Sequence, residues 1–288
     1  MKYALFLGCA IPARLKQYEV SARAVCAKLD IDLVEIRDFN CCGYPMRNYD
    51  YLSFLLSSAR NISLAADRGL DIITLCMCCY GSLKKALQVI KKDTPYKKEI
   101  DAFLKKERLM IESDIKIKHI LSVLHHEVGI DKIREKVTRS YKGLKIAAHY
   151  GCHALRPSEV VEFDTPQNPG IFDNLVEATG AQSVSWQMRL DCCGAPLFGY
   201  NDELSVKIMS TKLENGIQAG AHYLCSACPY CQLQFDRVQN MLLSKKQLGR
   251  SLASILFTQL LGLSMGIDAA KLQIDANELD ISGVEKYI

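Results

Sequence analysis

The chain has 288 residues, of which 49% are hydrophobic and 24% are charged, so it is long enough to bury a substantial core. A net charge of +4 at pH 7 and a pI of about 8.3 are compatible with a small anionic substrate and too weak to indicate nucleic-acid binding. Thirteen cysteines are present, an odd number that argues against a complete disulfide framework.

Short apolar segments alternate with amphipathic segments along the first part of the chain. The pattern predicts strands at 2–8, 32–36 and 70–75, and helices at 14–29, 53–67 and 80–90. Such alternation is typical of βαβ units in a parallel sheet. Cysteines follow each predicted strand: Cys9, the pair Cys41 and Cys42, and the group Cys76, Cys78 and Cys79.

A segment rich in lysine and glutamate follows, from 91 to 142. Apolar residues recur in it at roughly helical spacing, which predicts helices that join two domains and expose a charged face. Three histidines fall here, and we interpret them as surface or packing residues rather than metal ligands: His119, His125 and His126.

The remainder of the chain repeats the first pattern. Strands are predicted at 144–149, 182–186 and 221–224, and helices around 174–179, at 202–219 and from 232 onward. Apolar residues at 251–267 are interrupted by polar ones and fall short of the roughly 20 needed to span a bilayer, so we predict a buried helix. The cysteines again follow the strands: Cys152, Cys192, Cys193, Cys228 and Cys231.

Each half therefore holds a Gly-Cys pair, a Cys-Cys-Gly-x-Pro block and a closing Cys-x-x-Cys. Between successive cysteine groups lie 31 and 33 residues in the first copy, and 39 and 34 in the second. Five thiols per copy are one too many for tetrahedral zinc, and buried structural cysteines, as we interpret Cys26, do not explain the repetition. Thiolates select iron–sulfur clusters, zinc or copper(I), and we favour two iron–sulfur sites on a duplicated fold.

The predicted position of the cysteines suits this chemistry. Open α/β sheets bind ligands at the carboxyl ends of their strands, where the cysteine groups lie. Cys79 and Cys231 are expected at helix N-termini, where the positive end of the helix dipole favours thiolate over thiol. The apolar stretch before Gly8-Cys9 is too short for a secretory signal, so we expect a cytoplasmic protein.

The duplicated Cys-Cys-Gly pattern resembles the B subunit of heterodisulfide reductase (HdrB) and its relatives. The resemblance covers nearly the whole chain and includes 149–153, 156–159, 164–169 and the terminal stretch 257–263. It implies an α/β fold of two duplicated Rossmann-like CCG domains with a helical connecting segment. The domain bounds would be 1–140, which includes the connector, and 141–288.

The resemblance also implies that each set of five cysteines holds a noncubane [4Fe-4S] cluster. The first cluster would bind to Cys9, Cys41, Cys42, Cys76 and Cys79, and the second to Cys152, Cys192, Cys193, Cys228 and Cys231. Two choices stay open. Cys78 is an alternative member of the first set, and Cys225, which would align with Cys76, is an alternative to Cys228 or Cys231.

In the family the substrate is the disulfide of coenzyme M and coenzyme B, and bacterial relatives would use another disulfide. Splitting a disulfide takes two electrons, and two clusters at one cleft would each accept one sulfur while electrons arrive singly. His153 is the candidate proton donor to a departing thiolate. Candidate anion contacts are Arg14, Arg47, Arg156 and Arg189.

No flavin or nucleotide motif is present in the sequence. The family's electron source is a ferredoxin-like C subunit, which is supplied by a flavin-containing A subunit. The alternative function is that of an iron–sulfur relay or docking subunit in a lactate, glycolate or succinate oxidoreductase complex. A cleft between two exposed clusters would favour the reductase, and a site closed to solvent would favour the relay.

Overall fold

Eight short strands form two parallel sheets in a computed structural model that describes residues 1–92, 94–111 and 114–288. The strand orders are β2-β1-β3-β4 and β6-β5-β7-β8, so both sheets have the same topology. The strands are β1 Lys2–Phe6, β2 Asp32–Glu35, β3 Ile72–Thr74, β4 Ile117–His119, β5 Lys145–His149, β6 Gln182–Ser183, β7 Tyr223–Ser226 and β8 Ser254–Leu256.

Helices connect the strands, as parallel pairing requires. In chain order they are α1 Ala10–Arg14, α2 Lys16–Lys28, α3 Tyr51–Ala66, α4 Met77–Lys91, α5 Pro95–Lys106, α6 Ile120–Ser122, α7 Ile130–Lys136, α8 Cys152–Leu155, α9 Ser158–Val161, α10 Ile171–Ala178, α11 Asp202–Gln218, α12 Pro229–Leu233, α13 Gln239–Ser244 and α14 Phe257–Ser264. Two π-helical segments, Val123–Gly129 and Gln234–Val238, complete the longer helices. The predicted α/β class with two duplicated Rossmann-like domains is confirmed.

The strand register gives a direct correspondence between the two copies. Thr74 of β3 pairs with Phe6 of β1, and Ser226 of β7 pairs with His149 of β5. Cys76 and Cys228 each lie two residues beyond these paired positions, so they are equivalent. The expectation that Cys225 aligns with Cys76 is wrong, because Cys225 lies within β7 and pairs with Ala148.

The connecting segment, expected to be helical throughout, contributes a strand as well. Residues 117–119 form β4, which pairs with β3 at the edge of the first sheet. A strand of three residues is too short to show an alternating pattern in the sequence, and its buried residues are also compatible with helical spacing. Residues 93, 112 and 113 of this segment lie outside the described residues. The domain bounds 1–140 and 141–288 stay a prediction.

The apolar stretch at 251–267 begins with a strand too. Residues 254–256 form β8, and the predicted buried helix follows as α14, whose residues are all buried. Among the residues that the structure describes, no helix has both the length and the apolar character needed to cross a bilayer.

Helices of the first half pack against helices of the second half at several places. Helix α14 lies against α2, where the hydroxyls of Ser21 and Thr258 are 2.7 Å apart. Helix α4 lies against α8 and α9, and Tyr80 donates a hydrogen bond to the carbonyl of Val161. Because α4 and α8 both start at cysteine-bearing loops, this packing brings the cysteine groups of the two halves together.

Candidate metal centres

The first cysteine set lies beyond the carboxyl ends of β1, β2 and β3. The Sγ atoms of Cys9 and Cys41 are 3.8 Å apart. A small cavity of about 10 Å³ is lined by all six cysteines of this half that the sequence pattern singled out: Cys9, Cys41, Cys42, Cys76, Cys78 and Cys79. The five predicted ligands therefore converge, and Cys78 lines the same cavity.

Helix α4 begins inside the closing cysteine group. Cys76 is the N-cap residue, and its Sγ accepts a hydrogen bond from the backbone N–H of Cys79 at 3.4 Å. The predicted helix start at Tyr80 was three residues late, because a cysteine is not a usual capping residue and gave no start signal. The first turn still directs its positive dipole end toward the thiols, as expected.

The second cysteine set repeats this arrangement. Cys228 is the N-cap of α12, and Cys192 Sγ accepts the backbone N–H of Gly194 at 3.4 Å. Cys193 and Cys231 lie with His149 in a buried group whose ligand atoms are all within 4.8 Å of one another. Sequence reasoning had assigned no site role to His149. The sequence held one indication of its role: His149 and Phe6 occupy equivalent positions of the two copies, and only the second copy has a polar residue there.

The thiols of each set cannot all ionise together. Hydrogen bonding from Cys42, and then from Cys9, lowers the pKa of Cys41 to about 2, and the pKa of Cys9 is raised because its thiol donates to Cys41. In the second set the Cys152 thiol donates to Cys192, which lowers the pKa of Cys192 to about 2 and raises that of Cys152. Sulfur atoms that are this close need a cation if more of them are to be thiolates.

The two sets meet at the junction of the halves. Sulfur atoms of Cys76, Cys78 and Cys228, which come from both copies, lie within 4.8 Å of one another. His153 Nδ1 is 3.4 Å from Cys78 Sγ and 3.5 Å from Cys152 Sγ, so this histidine touches both halves. The predicted shared cleft therefore exists.

The tautomer of His153 follows from its other contacts. Nε2 lies 3.2 Å from the Tyr44 hydroxyl and 3.4 Å from Arg47 Nη1. A guanidinium can only donate, so Nε2 accepts and Nδ1 carries the proton. Burial, as the largest cause, lowers the pKa of His153, so the imidazole is neutral at pH 7. Its single N–H is directed at the sulfur atoms of Cys78 and Cys152.

A larger cavity of about 220 Å³ opens at this junction. Its walls come from both copies and include Cys78 and His153, the aromatic rings of Tyr51 and Phe54, and the apolar side chain of Val160. Three cationic side chains also line it: Arg47, Lys85 and Arg156. The cavity can therefore hold a small molecule that has an anionic group and a reactive centre near the sulfurs.

The four candidate arginines have different surroundings. Arg47 and Arg156 line the junction cavity, as expected. Arg189 forms an ion pair with Asp173 at 3.2 Å and a hydrogen bond to Asn168 at 2.8 Å, so it stabilises a loop. Arg14 is exposed at the end of α1 and does not line that cavity. Lys85 was not predicted, because a lysine in a lysine-rich helix carries no distinguishing signal.

Two further cysteines and three histidines are not members of the proposed ligand sets. All thirteen cysteines are free of disulfide bonds. Cys26 is buried in α2 and Cys225 in β7, where burial alone raises the pKa of Cys225. His119 is buried against Tyr80 and Phe163, close to the backbone of Leu75 and Ala227, which directly precede Cys76 and Cys228 of the two closing groups. His125 is half-buried and His126 is exposed, and their Nδ1 atoms are 3.2 Å apart.

The local structure fits an iron–sulfur group at each set. Each offers five soft donors on turns that follow parallel strands. The first set also requires a glycine beside it, because a Cβ atom added to Gly8 would lie 2.7 Å from Cys79 Sγ. The equivalent atom on Gly151 would lie 3.7 Å from Cys231 Sγ.

Comparison with known proteins agrees with this arrangement. The cysteine-rich domain family named CCG matches twice, at residues 3–84 and 146–236. The B subunit of the ferredoxin:CoB-CoM heterodisulfide reductase of Methanosarcina mazei is 36% identical over 281 residues, which cover 96% of this chain and 93% of that protein. The 8-methylmenaquinol:fumarate reductase membrane anchor subunit of Wolinella succinogenes is 31% identical over 280 residues, 97% of each chain.

A solved structure of a hypothetical protein from Helicobacter pylori shares the fold, with a TM-score of 0.75 and 18% identity. The match covers 98% of this chain and 52% of that one. Two CCG domains and relatives of this identity define the class. The chain belongs to the family of heterodisulfide reductase B subunits, as the cysteine pattern predicted.

Proposed function

We propose that this chain is the iron–sulfur subunit that reduces a small anionic disulfide to two thiols in a heterodisulfide reductase complex. The observation that carries the proposal is the junction cavity, because it reaches Cys78 and His153 at the point where the two cysteine sets meet. Relatives named as the B subunits of CoB-CoM heterodisulfide reductases support the reaction class.

The proposed cofactors are two noncubane [4Fe-4S] clusters. The first would be held by Cys9, Cys41, Cys42, Cys76 and Cys79, and the second by Cys152, Cys192, Cys193, Cys228 and Cys231. Support comes from the strand register, which makes Cys76 equivalent to Cys228 and Cys79 to Cys231. Cys78 then corresponds to Tyr230, so it has no counterpart among the thiols of the second copy.

When bound, the clusters would supply electrons one at a time and sites for the two sulfur atoms of the substrate. The protein's own contribution is positioning. Arg47, Lys85 and Arg156 would bind the acidic groups of the disulfide, while Tyr51 and Phe54 exclude water from its carbon chain. The His153 Nδ1–H would then donate a hydrogen bond to a sulfur that leaves as thiolate. Transfer of that proton to the sulfur would require Nε2 to take up a proton from solvent in exchange.

Electrons would come from a partner, since the sequence has no flavin or nucleotide motif. We propose a ferredoxin-like C subunit, supplied by a flavin-containing A subunit, as the source. The second candidate function, a relay or docking subunit of another oxidoreductase, is favoured by the similarity to the Wolinella fumarate reductase anchor subunit. In that role the junction cavity would bind no disulfide.

The cationic wall of the cavity gives a test of the reductase. We expect Arg156→Gln to raise KM for a dicarboxylate disulfide by roughly tenfold, the equivalent of about 1.4 kcal/mol, and to leave KM for bis(2-hydroxyethyl) disulfide unchanged. The assay would follow thiol release by the anaerobic, iron-loaded protein with reduced methyl viologen as donor. Lys85→Gln should act in the same direction.

Arg14→Gln is the matched control, because Arg14 carries the same charge and does not line the cavity. An equal rise in KM for Arg14→Gln would show an effect of overall charge rather than binding. Equal effects on both disulfides would refute the role of the cationic wall in binding an anionic substrate. No reduction of either disulfide by loaded wild-type protein would favour the relay over the reductase.

A further inference from the structure

The two copies differ at one buried position beside their Cys-Cys pairs. Asp50 caps α3 and Asn201 caps α11, each through a side chain that accepts a backbone N–H three residues on. The eleventh residue after the cap is Asn61 in one helix and Lys212 in the other. Both side chains are completely buried.

Both residues hold the loop that leads into the cysteine pair. Asn61 Nδ2 donates to the carbonyl oxygens of Asn40, at 3.4 Å, and Cys41, at 3.2 Å. Lys212 Nζ donates to the carbonyl of Met188 and, at 3.0 Å, to that of Asp191. Asn40 and Asp191 directly precede the two pairs. The same structural task is thus performed by a neutral amide in the first copy and by an ammonium group in the second.

The charge of Lys212 is not neutralised by a close carboxylate. Its Nζ lies 4.8 Å from the centre of the Trp186 ring, and no carboxylate of the described residues is within 4.0 Å. Burial, as the largest cause, lowers the pKa of Lys212 to about 8, while the neighbouring Asp191 acts to raise it. The ammonium ion therefore persists at neutral pH, and the second cysteine set lies within its field.

His149 adds a second polar difference. Its Nε2 lies 3.2 Å from Cys231 Sγ, whereas Phe6, at the equivalent position, has no donor to offer Cys79. An imidazole always carries at least one N–H, so His149 can offer the sulfur of Cys231 a donor that a phenyl ring cannot. Nδ1 has no hydrogen-bond partner among the described residues, which leaves Nε2 as the nitrogen with a contact.

We propose that Lys212 and His149 make the second cysteine set the higher-potential redox site of the two, an inference that rests on the proposed cluster sites. Adding an electron makes a site more negative, so a buried cation and a hydrogen bond to sulfur both favour the reduced state. One electron from a reduced iron–sulfur partner would thus settle at the second site before the first. Lys212 and His149 act through the cluster environment and are positioning residues.

A redox titration of anaerobic, iron-loaded full-length protein, followed by electron paramagnetic resonance, tests this assignment. We expect two midpoint potentials in the wild type, and the Cys193→Ser variant identifies which belongs to the first site. Lys212→Gln should move the higher midpoint toward the lower one and leave the lower one in place. Lys212→Arg, which keeps the charge, should restore the higher midpoint. Lys207→Gln, the same charge change on the exposed face of α11, should leave both unmoved.

Unchanged midpoints in Lys212→Gln, or an equal shift in Lys207→Gln, would overturn the inference. Loss of iron from both Lys212→Gln and Lys212→Arg would also overturn it, since the role would then be packing. If Lys212→Gln loses iron and Lys212→Arg does not, the redox titration is repeated on His149→Phe. The inference then requires that the higher midpoint potential of this variant be lower than in the wild type. Wild-type protein that takes up no iron would instead refute the proposed function itself.

Discussion

Cys42→Ser and Cys193→Ser should each remove about half of the bound iron and abolish disulfide reduction. Both cysteines are buried in the centre of their sets. A serine hydroxyl stays protonated at neutral pH and is a hard donor, so it replaces a thiolate poorly as a ligand to an iron–sulfur cluster. Iron and sulfide analysis of anaerobically purified variants, together with thiol release, measures both effects.

Three cysteines outside the proposed ligand sets serve as controls. Cys26→Ser and Cys225→Ala should keep wild-type iron, because both residues lie within regular elements away from the two sets. Cys78→Ala should also keep its iron while altering the wall of the junction cavity. If Cys225→Ala strips a cluster and Cys231→Ala does not, the ligand assignment of the second copy fails. The duplicated fold would be unaffected by that result.

Gly8→Ala should destroy the first iron site. Gly8 has φ of +67°, and a Cβ atom there would lie 2.7 Å from Cys79 Sγ. The left-handed backbone costs an alanine about 1–2 kcal/mol, and the contact must in addition displace a proposed ligand from its position. We expect loss of about half the iron, measured per folded chain after gel filtration.

Two other glycines separate the contact from the backbone strain. Gly69 has φ of +60° with nothing near its added Cβ, so Gly69→Ala should reduce stability and keep all the iron. Gly151 has φ of +77°, and its Cβ would make an ordinary contact with Cys231 Sγ at 3.7 Å, so Gly151→Ala should keep the second site. Equal iron loss in all three variants would show that strain alone is responsible.

The fold class could be predicted from the sequence, and so could the convergence of the cysteines of each set. The alternation of apolar and amphipathic segments predicted six of the eight strands, with bounds that differ by a few residues from those of the structure. Each of these six strands is followed by a long helix or by cysteines, which made it recognisable. It missed β4 and β8, which are three residues long, too short for a period to be recognised. Both are edge strands, the fourth of their sheets.

Site residues that belong to a repeated sequence motif could be predicted, whereas most single residues of the site could not. Motif repetition found the ten cysteines, and proximity to Cys152 suggested His153. Lys85, His149 and Lys212 were missed, because each is a single residue whose role depends on how the halves pack or on what surrounds it in the core. Of the four candidate arginines, Arg14 and Arg189 do not line the junction cavity, and Arg189 instead pairs with Asp173 on α10.

Iron, sulfide and zinc content of the anaerobic wild-type protein tests the central claim most directly, with electron paramagnetic resonance recorded before and after adding a thiol. Ten thiolates in two sets of five predict about eight irons per chain with matching sulfide and substoichiometric zinc. The proposed substrate site further predicts that thiol alters the signal. A chain that holds two zinc ions, lacks sulfide and still reduces the disulfide at full rate would contradict the account.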